Sequence, residues 1–279
     1  MLATLLDKIS GYRVLVVGDA IIDEYVYVTP EGKSPKENLI SHRFESVETF
    51  RGGAWAAAEH VRSFCAATDL HAARNVTVKR RFVEKEYLRK LFEVHERRDD
   101  GTATMPDPAD YDLAIVTDFG HGCISAEMIE TLTRRAKFLA VNTQTNSANH
   151  GFNLITKYPR ADYVVLDELE ARLAAHERDA PIERVIERLG YERIIVTLGA
   201  RGCIGHDNGI FSRASAVSDR IVDTMGAGDA FFCVSAPFAA AGADMETLCR
   251  VGNTAGAIKC AVVGHRKAVT REDLCAALA

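Results

Sequence analysis

The chain has no long apolar run, no excess of basic charge and no paired cysteine motif. No apolar segment among its 279 residues approaches the roughly 20 needed to span a bilayer, and the apolar block of the opening MLATLLDKISGYR is too short for a secretory signal. The formal charge of -5, from 34 basic and 39 acidic residues, removes the electrostatic reason to expect nucleic acid or an acidic membrane as partner. We therefore predict a cytoplasmic protein that acts on small molecules.

Cysteine usage excludes two further classes. The seven cysteines are scattered, odd in number and without a CxxC pair, so a disulfide framework or a zinc ribbon is not expected. The nine histidines show no HxxxH spacing, and we interpret His121 as a turn residue rather than a metal ligand.

What the chain does have is a repeated alternation of strand and helix patterns. Four short β-branched runs lie at 13–19, 112–118, 163–167 and 193–199, and segments of helical period separate the later ones. This alternation predicts an α/β protein with a mostly parallel sheet, in which ligands bind at the carboxyl ends of the strands.

Two segments break this alternation. The stretches 24–50 and 76–98 contain residues that alternate between polar and apolar, as half-exposed antiparallel strands do. We predict that they pair into a small β lid over the site, within a single domain spanning 1–279. The paired lid edge also raises the hypothesis of a homodimer.

The stretch DTMGAGD at 223–229 carries the clearest chemistry. Its glycines permit a turn whose amides point one way, and the apolar segment that follows predicts a helix whose N-terminus adds unpaired N–H groups. Such a turn can hold a phosphoryl group, with Asp229 beside it as a general base. An ordinary helix start, with glycine for the turn and aspartate for the dipole, explains the spacing equally well.

The longer stretch DTMGAGDAFF is similar to the signature of the ribokinase-like (PfkB-type) carbohydrate kinases. VGD at 17–19, RGGA at 51–54 and VTLG at 196–199 follow in that family's order, so the resemblance covers essentially the whole chain. It implies a three-layer α/β sandwich with a mostly parallel central sheet and a small β lid. It also implies an ATP-dependent kinase that uses Mg²⁺, with Asp229 as general base and an anion hole at Gly226, Ala227 and Gly228.

The same resemblance assigns the remaining site residues. It implies that the sugar or sugar phosphate is bound by Asp19, Asp23, Arg51, Gly52 and Gly53. It places Thr197, Gly199, Gly202 and Asn253 on the nucleotide side, and it makes Glu170 the candidate for organising the magnesium ion.

Within the family, the blocks VLVVGDAIIDEYVYV and KRRFVEKEYLRKLFEVHE most resemble bacterial D-glycero-β-D-manno-heptose-7-phosphate kinases. The basic lid residues Lys79, Arg80, Arg81, Arg89 and Lys90 are then candidates for holding the acceptor's phosphate, although a solvated strand face explains any one of them as well.

The chain also departs from the family pattern. Ala56 and Asp167 stand where asparagines are usual, and the 65–75 connection is short. Two alternatives therefore stay open: a catalytically silent sugar- or nucleotide-binding protein, and a kinase for a nucleoside or another non-sugar alcohol.

Overall fold

The computed structural model describes residues 2–98, 104–147, 149–217 and 221–279, and of residues 73–75 and 98 it describes the backbone alone. The strands are β1 (Arg13–Lys33), β2 (Ile40–Gly53), β3 (Ala67–Glu84), β4 (Arg89–Arg98), β5 (Leu113–Asp118), β6 (Leu139–Thr143), β7 (Tyr163–Asp167), β8 (Arg193–Thr197), β9 (Cys203–Asp207) and β10 (Ile210–Ala214). The α-helices are α1 (Leu2–Ile9), α2 (Ala54–Arg62), α3 (Ala126–Arg135), α4 (Glu168–Ala175), α5 (Ile182–Leu189), α6 (Ala227–Ala240), α7 (Met245–Cys260) and α8 (Arg271–Leu278).

The strands form one sheet in the order β10-β9-β8-β7-β6-β5-β1-β3-β4, with β2 paired to β1. The neighbours from β8 through β5 and β1 to β3 run parallel, whereas β9, β10, β2 and β4 each join an antiparallel partner. The prediction of a mostly parallel α/β sheet is confirmed.

Strand β1 connects the body of the sheet to the lid. It pairs with β5 from Val14 to Gly18 and with β2 from Ala20 onward. The sequence pattern had predicted that this strand ends at Asp19, which is wrong. Because β2 takes over from β5 as the partner of its backbone groups, the strand can continue without unpaired N–H and C=O groups.

The lid is the four-stranded part of the sheet formed by residues 20–33, β2, residues 76–84 and β4. Its β1–β2 and β3–β4 pairs are antiparallel as predicted, but β1 and β3 join them through a parallel pair. The 65–75 connection is short because Ala67 already begins β3, which runs from the body into the lid.

Two hydrophobic cores lie on the two faces of the sheet. One includes Phe232 and Phe238 of α6 and Leu248 of α7. The other includes Leu132 of α3 and Ile186 of α5. Helix α6 is buried almost throughout, as expected of a helix enclosed within a layered sandwich.

In the described part of the chain, no helix is both long enough and apolar enough to cross a membrane. None of the seven cysteines, all of which lie among the described residues, forms a disulfide bond. The described residues also hold no cluster of three or more His, Cys, Asp or Glu side chains suited to a metal ion.

Candidate active site

Two cavities meet at the start of α6. The larger has a volume of about 370 Å³, and its lining includes all four residues expected on the nucleotide side, Thr197, Gly199, Gly202 and Asn253. The smaller, of about 160 Å³, lies under the lid. Its lining comprises Ile21, Asp23, Gly53, Lys79, Arg81, Phe119, Gln144, Met225, Gly226, Gly228, Asp229 and His265. Gly228 lines both cavities, so the turn at 226–228 separates two adjoining spaces.

The turn that begins α6 depends on Gly226. This residue is the N-cap of the helix and has φ = 73°, a left-handed conformation that glycine adopts without steric cost. A β-carbon at this position would also lie 3.0 Å from His265 Cε1 and 3.3 Å from Lys259 Cε. The turn therefore lies at the N-terminus of α6, at the positive end of the helix dipole, and Gly228 in its first turn lines both cavities.

Asp229 lies in the first turn of α6 and is buried. Gln144 Nε2 donates a hydrogen bond of 2.6 Å to its Oδ1 atom. Burial raises the pKa of the Asp229 carboxyl, and the charges of His265, Lys79 and Lys259 act in the opposite direction. The result is a buried carboxyl group that lines the smaller cavity and has one oxygen held by Gln144.

Asp23 is 3% exposed and lies in an ion-pair network. Its carboxylate pairs with Arg81 of the lid and lies 3.5 Å from His265 Nε2, while Arg81 also contacts Glu93 at 3.2 Å. Burial favours the neutral acid, but the hydrogen bond from His265 and the charge of Arg81 outweigh it and lower the pKa of Asp23. A β-carbon at Gly52 would collide with this carboxylate. Gly52 does not line the smaller cavity itself, but its lack of a side chain leaves space for Asp23.

Asp19 makes its contacts with the backbone rather than with the cavity. Its carboxylate accepts hydrogen bonds from the amides of Phe119 at 2.9 Å, His121 at 3.3 Å and Cys123 at 2.9 Å. Burial nevertheless raises its pKa. In this structure Asp19 shapes the loop that places the Phe119 ring in the smaller cavity.

Lys79 is a buried cation directed at the smaller cavity. Its Nζ atom lies 6.0 Å from the centre of the Phe119 ring, and the described residues provide it with no hydrogen-bond partner. Burial lowers its pKa, while Asp23 acts in the opposite direction. An ammonium group in this setting is suited to an anionic ligand.

Besides Asp19 and Gly52, two further predicted site residues, Arg51 and Glu170, do not line either cavity. Arg51 is exposed, and its guanidinium lies 5.5 Å from the centre of the Trp55 ring. Glu170 forms a capping box with Asp167 at the start of α4 and also accepts the amide of Thr145 at 3.0 Å. Burial, followed by the nearby charge of Asp167, raises the pKa of Glu170 to about 8.

The sequence interpretation missed Gln144 and His265. Gln144 follows the end of β6, and the rule that ligands bind at the carboxyl ends of parallel strands could have identified it. His265 lies in the loop between α7 and α8, where no periodicity or motif marks it.

Comparison with known proteins identifies the family. The model of the pfkB family carbohydrate kinases matches residues 122–271, which include the Gly226 turn and Asp229. The chain belongs to this family. The match covers more than half of the chain, including the whole of the 226–228 turn between the cavities.

Curated relatives cover nearly the whole chain at low identity. The bifunctional protein HldE of Bradyrhizobium diazoefficiens is 27% identical over 319 residues, which span 96% of this chain and 63% of that protein. The HldE of Hyphomonas neptunium is 22% identical over 99% of this chain and 65% of its own length. The chain thus spans less than two thirds of the relatives that it matches.

Solved structures establish the ribokinase-like fold. A crystal structure of a putative ribokinase from Agrobacterium tumefaciens superposes with a TM-score of 0.74 at 20% identity, covering 96% of this chain and 97% of that one. The ribokinase of Arabidopsis thaliana complexed with ribose and ATP gives 0.69 at 15% identity, covering 96% and 99%. The predicted three-layer architecture is confirmed.

Proposed function

We propose that this chain transfers the γ-phosphoryl group of ATP to a hydroxyl of a sugar or sugar phosphate. The observation that carries the proposal is the position of the 226–228 turn between two cavities, with Asp229 in the lining of the smaller one. ATP occupies the larger cavity, and the acceptor occupies the smaller one. A carboxylate beside a turn of amides combines a proton acceptor with a site for the transferring group.

Asp229 removes the proton from the acceptor hydroxyl. Gln144 holds Oδ1, so Oδ2 is the oxygen left to receive the proton. Burial raises the pKa of Asp229, and the cations around it act in the opposite direction, toward the ionised carboxylate that accepts a proton. The acceptor oxygen attacks the γ-phosphorus of ATP as it loses its proton to Asp229, the bond from the γ-phosphorus to the β–γ bridging oxygen breaks, and ADP leaves with that oxygen.

The amides of the 226–228 turn stabilise the charge that collects on the transferring phosphoryl group. They belong to the turn and to the first residues of α6, where the helix dipole is positive. The turn is rigid because Gly226 is tightly enclosed, so little reorganisation is needed in the transition state.

The residues near the strand ends fit a magnesium ion held mainly by ATP phosphates. Among the described residues, Asn142 Oδ1 is a buried oxygen without a hydrogen-bond partner. Glu170 follows the end of the neighbouring strand β7. Neither residue lines a cavity, and both oxygens of Glu170 already accept backbone amides, so they would act on a hydrated Mg²⁺ through its water molecules, and the ion would neutralise charge on the nucleotide phosphates.

The acceptor that best fits the smaller cavity carries a phosphate of its own. Arg81 is already paired with Asp23 and Glu93, whereas Lys79 has no hydrogen bond or ion pair to the described residues. A phosphate on the sugar would pair with Lys79 and offset the burial of its ammonium. A sugar phosphate of the heptose phosphate type supplies that charge.

A panel of acceptors tests the proposal. Wild-type protein with ATP and Mg²⁺ is assayed on hexoses, heptoses, their 6- or 7-phosphates and nucleosides. We expect turnover on a sugar phosphate, and a 10²- to 10⁴-fold lower kcat for Asp229→Asn, since that is the usual contribution of a general base.

Asp244→Asn is the matched control, because it makes the same change at the N-cap of α7, where asparagine caps as well as aspartate. Full activity of Asp229→Asn would show that Asp229 is not the general base. Turnover on nucleosides alone would give the chain another acceptor class, and binding of ATP without any turnover would indicate a silent binding protein.

A further inference from the structure

Lys259 is a buried charge directly behind the candidate anion hole. This residue of the last turn of α7 is 1% exposed. Its Nζ atom donates a hydrogen bond to the carbonyl of Gly264. Its Cε atom lies 3.3 Å from the point where a β-carbon of Gly226 would lie. A buried ammonium is costly unless it is paired. An apolar side chain could fill the same space without that cost, so packing does not explain why a lysine stands here.

The surroundings of Lys259 hold the ammonium against the turn. The carbonyl of Cys260 accepts the amides of Val222 at 2.8 Å and Asp223 at 3.1 Å. The carboxylate of Asp223 accepts the amide of Gly264 at 3.0 Å. The segment leading into the turn and the loop that follows α7 are thus tied together around Lys259.

The charges that act on this ammonium belong to the active site. Burial lowers the pKa of Lys259, and Asp223, Asp229 and Asp23 oppose that effect. Lys259 in turn is one of the groups that favour the ionised form of Asp229. Its charge therefore acts on the base and on the turn, in a setting screened from water.

We infer that Lys259 is a built-in cation of the phosphoryl-transfer site, which stabilises the negative charge that collects at the 226–228 turn. The inference rests on the proposed function. Lys259 is a positioning residue that acts through the turn and through Asp229, without touching the nucleotide or the acceptor. It gives the turn a fixed positive charge in addition to the dipole of α6.

Lys259→Met tests the inference, because methionine fills similar space without charge. We expect kcat to fall by about a hundredfold, as when one electrostatic contact of an anion hole is removed. The KM values for ATP and acceptor stay within a fewfold. The acid limb of the kcat/KM profile moves to higher pH, since the pKa of Asp229 rises when a nearby cation is lost.

Lys8→Met is the matched control. Lys8 Nζ also donates to a backbone carbonyl, that of Ala241 at 2.8 Å, but at the opposite end of α6. We expect unchanged kcat and an unchanged pH profile. In Lys259→Ala, ammonium or potassium ions should restore part of kcat, whereas tetramethylammonium at equal ionic strength is too large to enter the space and should not.

A direct titration separates this inference from the proposed function. The pKa of Asp229 is measured by carbon NMR of labelled aspartate, assigned with Asp229→Asn, in wild type and Lys259→Met. A rise supports the inference even if no acceptor is turned over. An unchanged titration in a folded variant overturns it, and so does a loss of activity that accompanies only a lower Tm, with no pH shift and no rescue by small cations.

Discussion

The two cavities on either side of the 226–228 turn are built in different ways. The larger is lined mostly by glycine, alanine and other small or apolar residues around Thr197 and Asn253. The smaller is lined by charged side chains that come from distant segments: Asp23 from β1, Lys79 and Arg81 from β3, and His265 from the loop before α8. The shape of the larger cavity depends mainly on the backbone path. The smaller cavity depends mainly on charged side chains that pair across long distances in the sequence.

Breaking the charge network should produce the largest effect. We expect Arg81→Met to lower the free energy of unfolding by about 3–5 kcal/mol, because it removes the arginine that pairs with the buried Asp23 carboxylate. Chemical denaturation measures the change. In the double variant Asp23→Asn/Arg81→Met, the neutral amide removes the uncompensated charge, and most of the loss should be recovered.

Arg80→Met is the neighbouring control. Arg80 pairs with Glu24 at 2.6 Å, but its side chain is 36% exposed, and surface pairs of this kind contribute at most about 1 kcal/mol. Equal destabilisation by Arg80→Met and Arg81→Met would show that burial of the Asp23–Arg81 pair does not increase its contribution to the free energy of unfolding.

The same contrast explains what could be predicted from the sequence. The strand and helix pattern, the Gly226 turn and the lining of the larger cavity are encoded within short segments, where glycine and apolar periodicity indicate the backbone path. The Asp23, Arg81 and His265 network joins residues that are far apart along the chain. No local pattern could show that Arg81 pairs with Asp23, whereas Lys79 has no hydrogen bond or ion pair to any residue that the structure describes. The backbone contacts of Asp19 depend likewise on a loop a hundred residues away.

A substitution in the 226–228 turn would test the role of backbone geometry. Gly226→Ala places a β-carbon at φ = 73° and 3.0 Å from His265 Cε1. We expect a kcat about a hundredfold lower, since the amides of the turn would be displaced. We also expect a loss of about 1–2 kcal/mol of stability from the left-handed conformation.

Gly209→Ala is the control that separates the strain of a positive φ from the displacement of the turn by a steric clash. Gly209 also has a positive φ, of 90°, but a β-carbon there would meet nothing within 4 Å. Its variant should lose comparable stability and keep its kcat. A similar loss of kcat in both variants would mean that the position of the Gly226 turn does not matter.

Acidification should weaken the protein through its buried histidines. Burial lowers the pKa values of His60 and His121 to about 3, far below the ordinary value of 6.5. Below pH 6.5 the unfolded state therefore binds more protons than the folded state. The free energy of unfolding should fall by up to about 1.4 kcal/mol per pH unit for each such histidine.

Denaturation curves between pH 7 and pH 5 check this expectation. His121→Asn and His60→Gln should each reduce the slope of stability against pH. Curves that run parallel to that of the wild type would show that these histidines titrate alike in the folded and unfolded states.

The smallest expected effect, that of Lys79→Met, should distinguish binding in the smaller cavity from binding in the larger one. Lys79→Met removes the one ammonium in the lining of the smaller cavity that lacks a hydrogen-bond partner among the described residues. We expect the KM for a phosphorylated acceptor to rise about tenfold, the usual scale for losing a charge-assisted contact. The KM for ATP should not change, since Lys79 does not line the larger cavity. Lys33→Met, at an exposed lid position, should change neither value. A similar rise in KM for the unphosphorylated sugar would show that Lys79 does not recognise a phosphate, because the charge of the acceptor would then make no difference.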